Sequence, residues 1–182
     1  MFRDNVSDFE QVALPHMNCV FRAAYALCGR EQVAEDLVQT TYLKSLQKFK
    51  SFKPGTDCKA WLLSILRHTW IDELRKKKFS AHQLGQSDEL LEAHEPRAEL
   101  PNADNPLEAF SDQAVIRALG QLPEEQRLTL YLIDVEEMSY QEVAEIMAVP
   151  LGTVKSRSSH ARAALREKLD AYAREMGFAG RL

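Results

Sequence analysis

Apolar residues recur at helical spacing along most of the 182-residue chain. The spacing predicts helices over residues 8–28, 31–50, 58–78, 106–120, 122–135, 139–147 and 152–169. Pro15 is expected to start the longer part of the first helix, and Gly29 is expected to end it. In the helix over residues 122–135, the side chains expected to face inward are Leu128, Tyr131, Leu132 and Val135. A polar, acidic stretch with two prolines, residues 79–105, separates the third of these helices from the fourth and is typical of a flexible linker. The pattern predicts an all-α fold of two small helical domains, with an N-terminal domain over residues 1–78 and a C-terminal four-helix domain over residues 106–182.

The last two predicted helices form the most informative stretch. Ser139 opens the first of them, and Glu142 three residues later completes a capping box, in which each side chain bonds to the other residue's backbone amide. Pro150 ends this helix region, because proline lacks an amide hydrogen and clashes with the preceding helical turn. The second helix has an inward face at steps of four, three and four: Val154, Ser158, Ala161 and Leu165.

The outward face of that second helix carries cationic and hydroxyl side chains: Lys155, Ser156, Ser159, His160 and Arg162. Side chains of this kind bind phosphates and base edges, and a single helix fits the major groove of B-DNA. The two helices are therefore interpreted as a helix-turn-helix whose second helix reads DNA. A hairpin of two helices with a solvated basic face is the alternative, since charged residues on helices usually face solvent.

The predicted helix 31–50 has two distinct faces. Its apolar face, expected to pack in the core, consists of Val33, Leu37, Val38, Tyr42, Leu46 and Phe49. A second, mixed stripe consists of Asp36, Gln39, Thr40, Leu43 and Gln47. Two interpretations of this stripe stay open at the level of the residues: a solvent-facing surface with one leucine, or a docking face for a partner helix.

Aromatic and cationic residues are interleaved around the predicted helix 58–78. A Pro-Gly loop precedes it, between Phe49 and Trp61, and four cationic residues, 75–78, end it. Rings that stack on bases, beside cations that follow the backbone, suit single-stranded nucleic acid. Tryptophans on an amphipathic helix are equally often core residues. Trp61 is assigned to the core, whereas Trp70 fits either environment.

Charge is unevenly distributed along the chain, although the net charge is only −4. Residues 44–78 carry ten Lys and Arg against three Asp and Glu, and residues 151–182 carry seven against three. Residues 79–112, between them, carry one against eight. Two basic surfaces separated by an acidic segment indicate two contacts with a polyanion.

Composition argues against several other classes of protein. No apolar run approaches the roughly 18 residues of a membrane span and no signal peptide opens the chain, which favours the cytoplasm. Cys19, Cys28 and Cys58 lack CxxC spacing and are expected to be reduced, partly buried thiols. His82 and His94 have no companions at metal-binding spacing, and the chain has no phosphate loop or nucleophile–base motif. No metal site, cofactor or enzymatic activity is therefore predicted.

Three motifs in order resemble those of bacterial RNA polymerase sigma factors of the small extracytoplasmic-function (ECF) type. The stretch AEDLVQTTY, residues 34–42, looks like the family's polymerase-binding motif. The segment from KAWL, residues 59–62, to RKK, residues 75–77, resembles the one that recognises and opens the minus-10 promoter element. The runs LPE at 122–124, SY at 139–140 and GTVKSR at 152–157 resemble the domain that reads the minus-35 element.

The resemblance implies roles for individual residues. Polymerase binding would fall on Asp36, Leu37, Gln39, Thr40 and Leu43. Binding of the melted minus-10 strand would fall on Phe52, Lys53, Lys59, Arg67, His68, Asp72, Arg75 and Lys76. Binding of the minus-35 duplex would fall on Thr153, Lys155, Ser156, Arg157, Ser159, His160 and Arg162. In relatives the loop equivalent to residues 52–59 forms a pocket for a base turned out of the non-template strand.

The resemblance also implies partners: core RNA polymerase, promoter DNA and an anti-sigma factor. The run FKPGTDCKAW, residues 52–61, is similar to that of sigma factors paired with zinc-containing soluble anti-sigma factors. Two other functions compete with promoter-specific initiation. One is a sigma-like mimic that binds an anti-sigma factor but no promoter, although such mimics tend to lose the polymerase motif and the basic helix end that are present here. The other is a helix-turn-helix repressor with a helical sensor domain, which needs neither feature.

Overall fold

The computed structural model of the protein describes residues 2–83 and 118–175, and every regular element in these ranges is helical. The N-terminal elements are α1 (Phe2–Ala13), a 3-10 turn (Leu14–His16), α2 (Met17–Cys28), α3 (Glu31–Lys48), a second 3-10 turn (Phe49–Ser51) and α4 (Cys58–Gln83). The C-terminal elements are α5 (Glu124–Leu130), a π-helical turn (Tyr131–Val135), α6 (Tyr140–Met147) and α7 (Leu151–Glu175). The predicted all-α fold is confirmed. The predicted linker beyond residue 83, most of the predicted helix 106–120, and His94 lie outside the described residues.

The ends of the N-terminal helices follow from the local sequence. Pro15 lies in the first 3-10 turn, so α2 starts two residues after it rather than on it. Gly29 ends α2 as predicted, because its φ of 67° is a left-handed conformation that glycine adopts without strain. The Gly29 amide donates to the Tyr25 carbonyl oxygen at 2.8 Å. At the other end of the domain, α4 continues to Gln83, five residues beyond the predicted end at residue 78.

The core of the N-terminal domain lies between α2, α3 and α4. Its most deeply buried apolar side chains are Val20, Leu27, Leu62, Leu63 and Leu66. The apolar face predicted for α3 turns towards this core, with Leu37 and Val38 buried. Thr41 and Ser45 are buried beside them, and each hydroxyl donates to the carbonyl oxygen four residues earlier at 2.7 Å. These bonds satisfy polar groups that would otherwise destabilise an apolar interior.

The two tryptophans of α4 occupy different environments. Trp61, which was expected in the core, is only half-buried at the core's edge, where its ring centroid lies 6.5 Å from that of Phe49 and 5.0 Å from that of Phe52. Trp70 is 3% exposed, and its indole nitrogen donates to the Glu124 carboxylate at 2.9 Å. Trp70 is the core tryptophan because the C-terminal domain covers it.

A π-helical turn after α5 changes which side chains face the interior. The Glu136 amide donates to the Tyr131 carbonyl oxygen at 3.1 Å, a step of five residues instead of four. The extra residue rotates the side chains that follow. Leu128 and Leu132 are therefore buried as predicted, whereas Val135 is 39% exposed. The expectation that Val135 packs inward is wrong for this reason.

The helix-turn-helix has the local structure that its sequence predicts. The capping box is formed: the Ser139 amide donates to the Glu142 carboxylate at 2.8 Å, and the Glu142 amide donates to the Ser139 hydroxyl at 3.2 Å. Ala148 follows α6 in a left-handed conformation with φ of 48°, and Pro150 directly precedes α7. The inward residues of the pair are buried, except for Leu165, which is half-buried: Val143, Ala144, Met147, Val154, Ser158 and Ala161.

The two domains pack directly against each other. Helix α2 contacts α5, and helix α4 contacts α6. Leu128 and Leu132 of the C-terminal domain belong to the same apolar cluster as Leu27 and Leu62 of the N-terminal domain. We call this packing of α2 and α4 against α5 and α6 the closed arrangement. In the described residues, no helix is both long enough and apolar enough to cross a membrane.

Replacing Ser139 with Ala removes one half of the capping box and leaves the Glu142 amide without its acceptor. We expect the free energy of unfolding to fall by about 1 kcal/mol, seen as a lower urea midpoint with an unchanged slope. Ser156→Ala is the matched control, because its exposed hydroxyl bonds only within α7; its free energy of unfolding should change by less than about 0.5 kcal/mol. Equal midpoints for the two variants would contradict a stabilising role of the cap.

Candidate polymerase and nucleic-acid interfaces

The mixed stripe of α3 faces solvent. Asp36, Gln39 and Leu43 are exposed, with Leu43 at 62%, and Thr40 is half-buried. Leu37, also predicted to bind polymerase, is 4% exposed because it lies on the opposite, inward face of the helix. Leu37 therefore supports the stripe from within the core and does not belong to its surface.

An open groove runs beside this stripe, with a volume of about 810 Å³. Its walls come from the end of α1, the first 3-10 turn, α2 and α3. Leu14 and Met17 expose more than two fifths of their surface here, next to Gln39 and Leu43 of the stripe. The stripe and the groove together make one apolar surface with a polar edge, which is the composition of a protein-binding patch.

The loop that precedes α4 is anchored by aromatic stacking. The rings of Phe52 and Phe49 are nearly parallel, with an interplanar angle of 12° and centroids 5.8 Å apart, and Trp61 packs on Phe52. The Thr56 hydroxyl donates to the Lys53 carbonyl oxygen at 2.7 Å, which closes the turn. Phe52 is thus a support of the loop, whereas the Lys53 side chain projects into solvent.

Several predicted minus-10 residues of α4 face solvent. His68, Arg75 and Lys76 are exposed. The His68 Nδ1 lies 2.6 Å from the Ser64 carbonyl oxygen, so this nitrogen carries the donated hydrogen. Asp72 bonds to Lys44 of α3 at 3.2 Å, and this hydrogen bond lowers the pKa of the Asp72 carboxyl. Asp72 therefore links α4 to α3.

Two other predicted minus-10 residues, Lys59 and Arg67, point at the C-terminal domain. The Lys59 ammonium lies 3.4 Å from the Glu136 carboxylate. The Arg67 guanidinium lies 3.7 Å from the Glu125 carboxylate, and its side chain is 11% exposed. In the closed arrangement both cations are paired with acids of the C-terminal domain, and Lys59 keeps partial contact with solvent.

The outward face of α7 is exposed as predicted. Lys155, Ser156, Ser159 and His160 all face solvent, and Thr153 is half-buried. This face begins in the first turns of α7, directly after the α6–α7 turn. A helix-turn-helix uses the N-terminal part of its second helix to contact base edges, so these residues lie where such contacts would be made.

Arg157 and Arg162 on α7 are held by acids of their own domain. Arg157, which is half-buried, pairs with Glu125 at 2.8 Å and so points away from the exposed face. The Arg162 guanidinium bonds to Asp134 at 2.6 Å and to the Tyr140 hydroxyl at 3.1 Å. Arg162 stays exposed, with its guanidinium fixed in position by these two partners.

Arg127 is a buried cation at the domain interface that the sequence analysis does not single out. Its guanidinium donates to the carbonyl oxygens of Ala26, Leu27 (2.9 Å), Gly120 (2.9 Å) and Leu122 (3.2 Å). Burial lowers the pKa of Arg127. The sequence could have predicted that Arg127 is buried, because residue 127 lies four positions before Tyr131 and thus on the apolar face of its helix.

A second polar cluster, also absent from the predicted sites, surrounds Glu136. The Tyr131 hydroxyl donates to its carboxylate, and Arg22 and Lys59 pair with it at 3.2 and 3.4 Å. Burial would raise the pKa of the Glu136 carboxyl, but hydrogen bonds from Tyr131 and Cys19 and the nearby cations outweigh it, so the pKa is lowered. The carboxylate is ionised and joins α2 and α4 to the C-terminal domain.

The described residues contain no group of three or more His, Cys, Asp or Glu side chains arranged to hold a metal ion. Cys19, Cys28 and Cys58 are free and buried. Burial is the largest cause of a raised pKa at each thiol, and the pKa of Cys19 reaches about 12. Only thiolates react readily with disulfides and metals, so these groups suit a structural role.

Comparison with known proteins accounts for this combination of surfaces. The family model for Sigma-70 region 2 matches residues 14–80, and the model for Sigma-70, region 4 matches residues 112–165. The chain is 31% identical over 168 residues to the ECF RNA polymerase sigma factor SigE of Mycolicibacterium smegmatis, an alignment that covers 92% of this chain and 63% of that protein. It is 32% identical over 163 residues to the ECF RNA polymerase sigma factor EcfG of Rhodopseudomonas palustris, covering 89% and 83%.

A solved structure is similar along nearly the whole chain. It is the sigma factor RpoE in complex with the anti-sigma factor NepR from Bartonella quintana, with a TM-score of 0.72 and 32% identity, covering 89% of this chain and 96% of that one. The fold and the matched regions thus define a sigma-70-type transcription initiation factor. More particularly, the chain belongs to the ECF family of RNA polymerase sigma factors. Sigma factors of this family bind core RNA polymerase and direct initiation at specific promoters, and they are not enzymes.

The raised pKa values of the thiols predict low reactivity in the native protein. At neutral pH we expect Ellman's reagent to modify none of the three cysteines within minutes, because burial keeps them protonated and covered. The same reagent in concentrated urea should modify all three, which serves as the control. Rapid stoichiometric reaction of a native thiol would contradict a purely structural role.

Proposed function

We propose that this chain divides promoter-specific initiation between its domains. The α3 stripe binds core RNA polymerase, α4 and its preceding loop bind the melted minus-10 strand, and α7 reads the minus-35 duplex. The observation that carries this proposal is the presence, in one chain, of an exposed apolar-polar stripe on α3 and an exposed DNA-type face on α7. A repressor would need only the second.

Polymerase binding centres on Leu43. Its side chain is the most exposed apolar group of α3 and is flanked by the polar groups of Asp36 and Gln39. An apolar anchor surrounded by polar side chains is the usual arrangement of an energetically dominant contact. The adjoining groove, with Leu14 and Met17, enlarges the surface that a partner helix would cover.

Binding of the melted strand rests on exposed cations held near a rigid loop. Lys53 lies in the loop and His68, Arg75 and Lys76 lie along α4. Stacking of Phe52 on Phe49 fixes the loop in advance, so less conformational entropy is lost when a base enters. Turning a base out of the stack costs a few kcal/mol, which these contacts must recover.

The residues proposed to contact the minus-35 duplex are Lys155, Ser159 and His160, together with Ser156 and Thr153 nearer the start of α7. Hydrogen bonds to phosphates position such a helix, and bonds to base edges supply specificity. Arg162 joins this set, with Asp134 and Tyr140 orienting its guanidinium. Arg157 does not belong to the set in the closed arrangement, because Glu125 holds it.

An anti-sigma factor is the further partner that we infer. The similar sigma factor RpoE was solved in complex with the anti-sigma factor NepR, at 32% identity to this chain. The run at residues 52–61 still favours a zinc-containing soluble anti-sigma factor. The chain would act in the cytoplasm, where it meets core polymerase and DNA.

The polymerase contact predicts the effect of a double substitution. Asp36→Ala with Gln39→Ala should lower retention of the chain by immobilised core enzyme about tenfold, because two polar contacts are lost without loss of buried packing. The matched control is Glu145→Ala with Gln141→Ala, an exposed acid–amide pair on α6. Circular dichroism checks that both variants are folded. Equal retention of the two double variants would argue against the α3 stripe as the polymerase contact.

The α7 face predicts a change in salt dependence. Run-off transcription on genomic fragments first supplies a promoter for this chain and core enzyme. On that promoter, Lys155→Ala should weaken binding and reduce the slope of log affinity against log salt by about 1 if Lys155 contacts a phosphate. Lys168→Ala removes the same charge from the same helix, but Lys168 bonds to Gln121 away from that face, so affinity should change little. Equal effects of the two substitutions would remove Lys155 from the contact surface.

A further inference from the structure

The most exposed large apolar side chain among the described residues belongs to none of the predicted sites. Phe79, near the end of α4, exposes 66% of its surface, slightly more than Leu43 of the α3 stripe. It does not line the groove beside that stripe. An exposed ring of this size forgoes the stabilisation that burial would give, and phenylalanine forms helices less readily than the lysines before it. Neither packing nor helix propensity therefore accounts for this residue.

Phe79 lies on the same face of α4 as the exposed minus-10 candidates. His68 and Phe79 are eleven residues apart, which is about three turns of 3.6 residues, so their side chains leave the helix in nearly the same direction. Arg75 lies four residues before Phe79 and Lys76 lies three before it, and residues at these spacings are neighbours on a helix surface. His68, Arg75 and Lys76 are all exposed. The face therefore continues past its cations, and Phe79 is its next member.

The buried face of α4 is on the other side of the helix. Trp70 is 3% exposed, and the Lys77 ammonium lies 5.8 Å from the centroid of its ring. Trp70 and Phe79 are nine residues apart, which is about two and a half turns, so they leave the helix on opposite sides. The exposure of Phe79 therefore follows from its position on the helix.

An aromatic ring beside cations suits a single-stranded nucleic acid, because the base stacks on the ring while the cations bind the phosphates. Both acids of this segment are already paired with a lysine. Asp72 pairs with Lys44 at 3.2 Å, and Glu73 pairs with Lys76 at 2.8 Å. The Lys76 side chain is 72% exposed, so a phosphate can reach its ammonium from the solvent side. The acids therefore do not prevent phosphates from binding beside Phe79.

We propose that Phe79 is a stacking platform for one base of a single-stranded nucleic acid, with Arg75 and Lys76 binding the phosphates of the neighbouring nucleotides. This platform rests on the proposed function, because it extends the minus-10 face of α4 by one turn. The face from His68 to Phe79 is about 16 Å long, at about 1.5 Å per residue. A stacked strand rises about 3.4 Å per nucleotide, so the face covers about five nucleotides.

Stacking on Phe79 supplies affinity without selecting a base. Every base presents an aromatic surface, so one ring accepts all four. A base pocket of the kind proposed for the loop at residues 52–59 works differently, because it discriminates by shape and by hydrogen bonds. Phe79 therefore holds the strand independently of its sequence.

The test uses the free full-length chain, because Phe79, Arg75 and Lys76 are exposed in the closed arrangement. Fluorescence anisotropy measures the affinity for a labelled DNA single strand of random sequence, about ten nucleotides long, or twice the span of the face. Phe79→Ala removes the side chain, Phe79→Leu keeps an apolar side chain without a ring, and Phe79→Tyr keeps the ring. Val135→Ala is the matched control, because it removes another exposed apolar side chain, from the C-terminal domain. Circular dichroism checks that every variant is folded.

We expect Phe79→Ala and Phe79→Leu each to weaken binding about tenfold, and Phe79→Tyr and Val135→Ala to change it less than about twofold. The slope of log affinity against log salt should be the same for all Phe79 variants, since no charge is removed, whereas Arg75→Ala should reduce it by about 0.7. Equal affinity of Phe79→Ala and the unaltered chain would overturn the platform. Full affinity of Phe79→Leu would do the same, because an apolar contact without a ring would then be sufficient.

Arg75→Ala also separates failure of the platform from failure of the proposed function. Weaker binding of the strand by Arg75→Ala, together with unchanged binding by Phe79→Ala, would overturn the platform alone. Unchanged binding by both variants, or no binding by the unaltered chain, would count against the minus-10 face itself and against the platform with it.

A protein is the other class of partner that could cover an exposed ring. Retention by immobilised core enzyme measures this, and we expect Phe79→Ala to be retained as well as the unaltered chain. Reduced retention of Phe79→Ala would assign Phe79 to a polymerase contact and would overturn the platform.

Discussion

The packing of the two domains depends on a single buried cation. Arg127 is 8% exposed, and a guanidinium buried without acceptors would cost several kcal/mol. Two of its acceptors are the carbonyl oxygens of Ala26 and Leu27, in the last turn of α2, where carbonyls lack partners within the helix. The others lie in the turn before α5. The end of α2 and Arg127 lose water when the domains meet, and each then supplies the hydrogen-bond partners that the other needs.

Apolar burial and ion pairs share the rest of the interface. Leu27, Leu128 and Leu132 form one cluster, and a fully buried leucine contributes about 1.5–3 kcal/mol relative to an exposed one. Partly exposed pairs such as Lys59–Glu136 contribute less, because solvent screens them. Substituting Glu136 therefore removes only a modest part of the interface, whereas removing Arg127 or a leucine also disturbs the domains themselves.

Local signals made much of the fold predictable, and contacts between distant residues account for what was missed. The capping box of Ser139 and the apolar spacing of α7 depend only on residues that are close in the sequence, so both could be predicted. Trp70 is buried by Glu124 and its neighbours, more than fifty residues later in the chain, and no helical pattern contains that information. Likewise, Arg157 belongs to the DNA-reading motif by sequence, but Glu125 from another helix turns it away from the exposed face.

The surfaces differ in how accessible the closed arrangement leaves them, and this difference sets an order of events. The α3 stripe stays exposed, with Leu43 at 62%, so the proposed polymerase contact is accessible in the closed arrangement. Lys59 and Arg67, two of the proposed minus-10 contacts, are paired with acids of the C-terminal domain, so under the proposed function a nucleic acid would have to displace these acids to reach them. A partner that binds α3 and also displaces these acids would therefore make both cations available to nucleic acid. Polymerase binding before promoter binding is the sequence of steps that this arrangement favours.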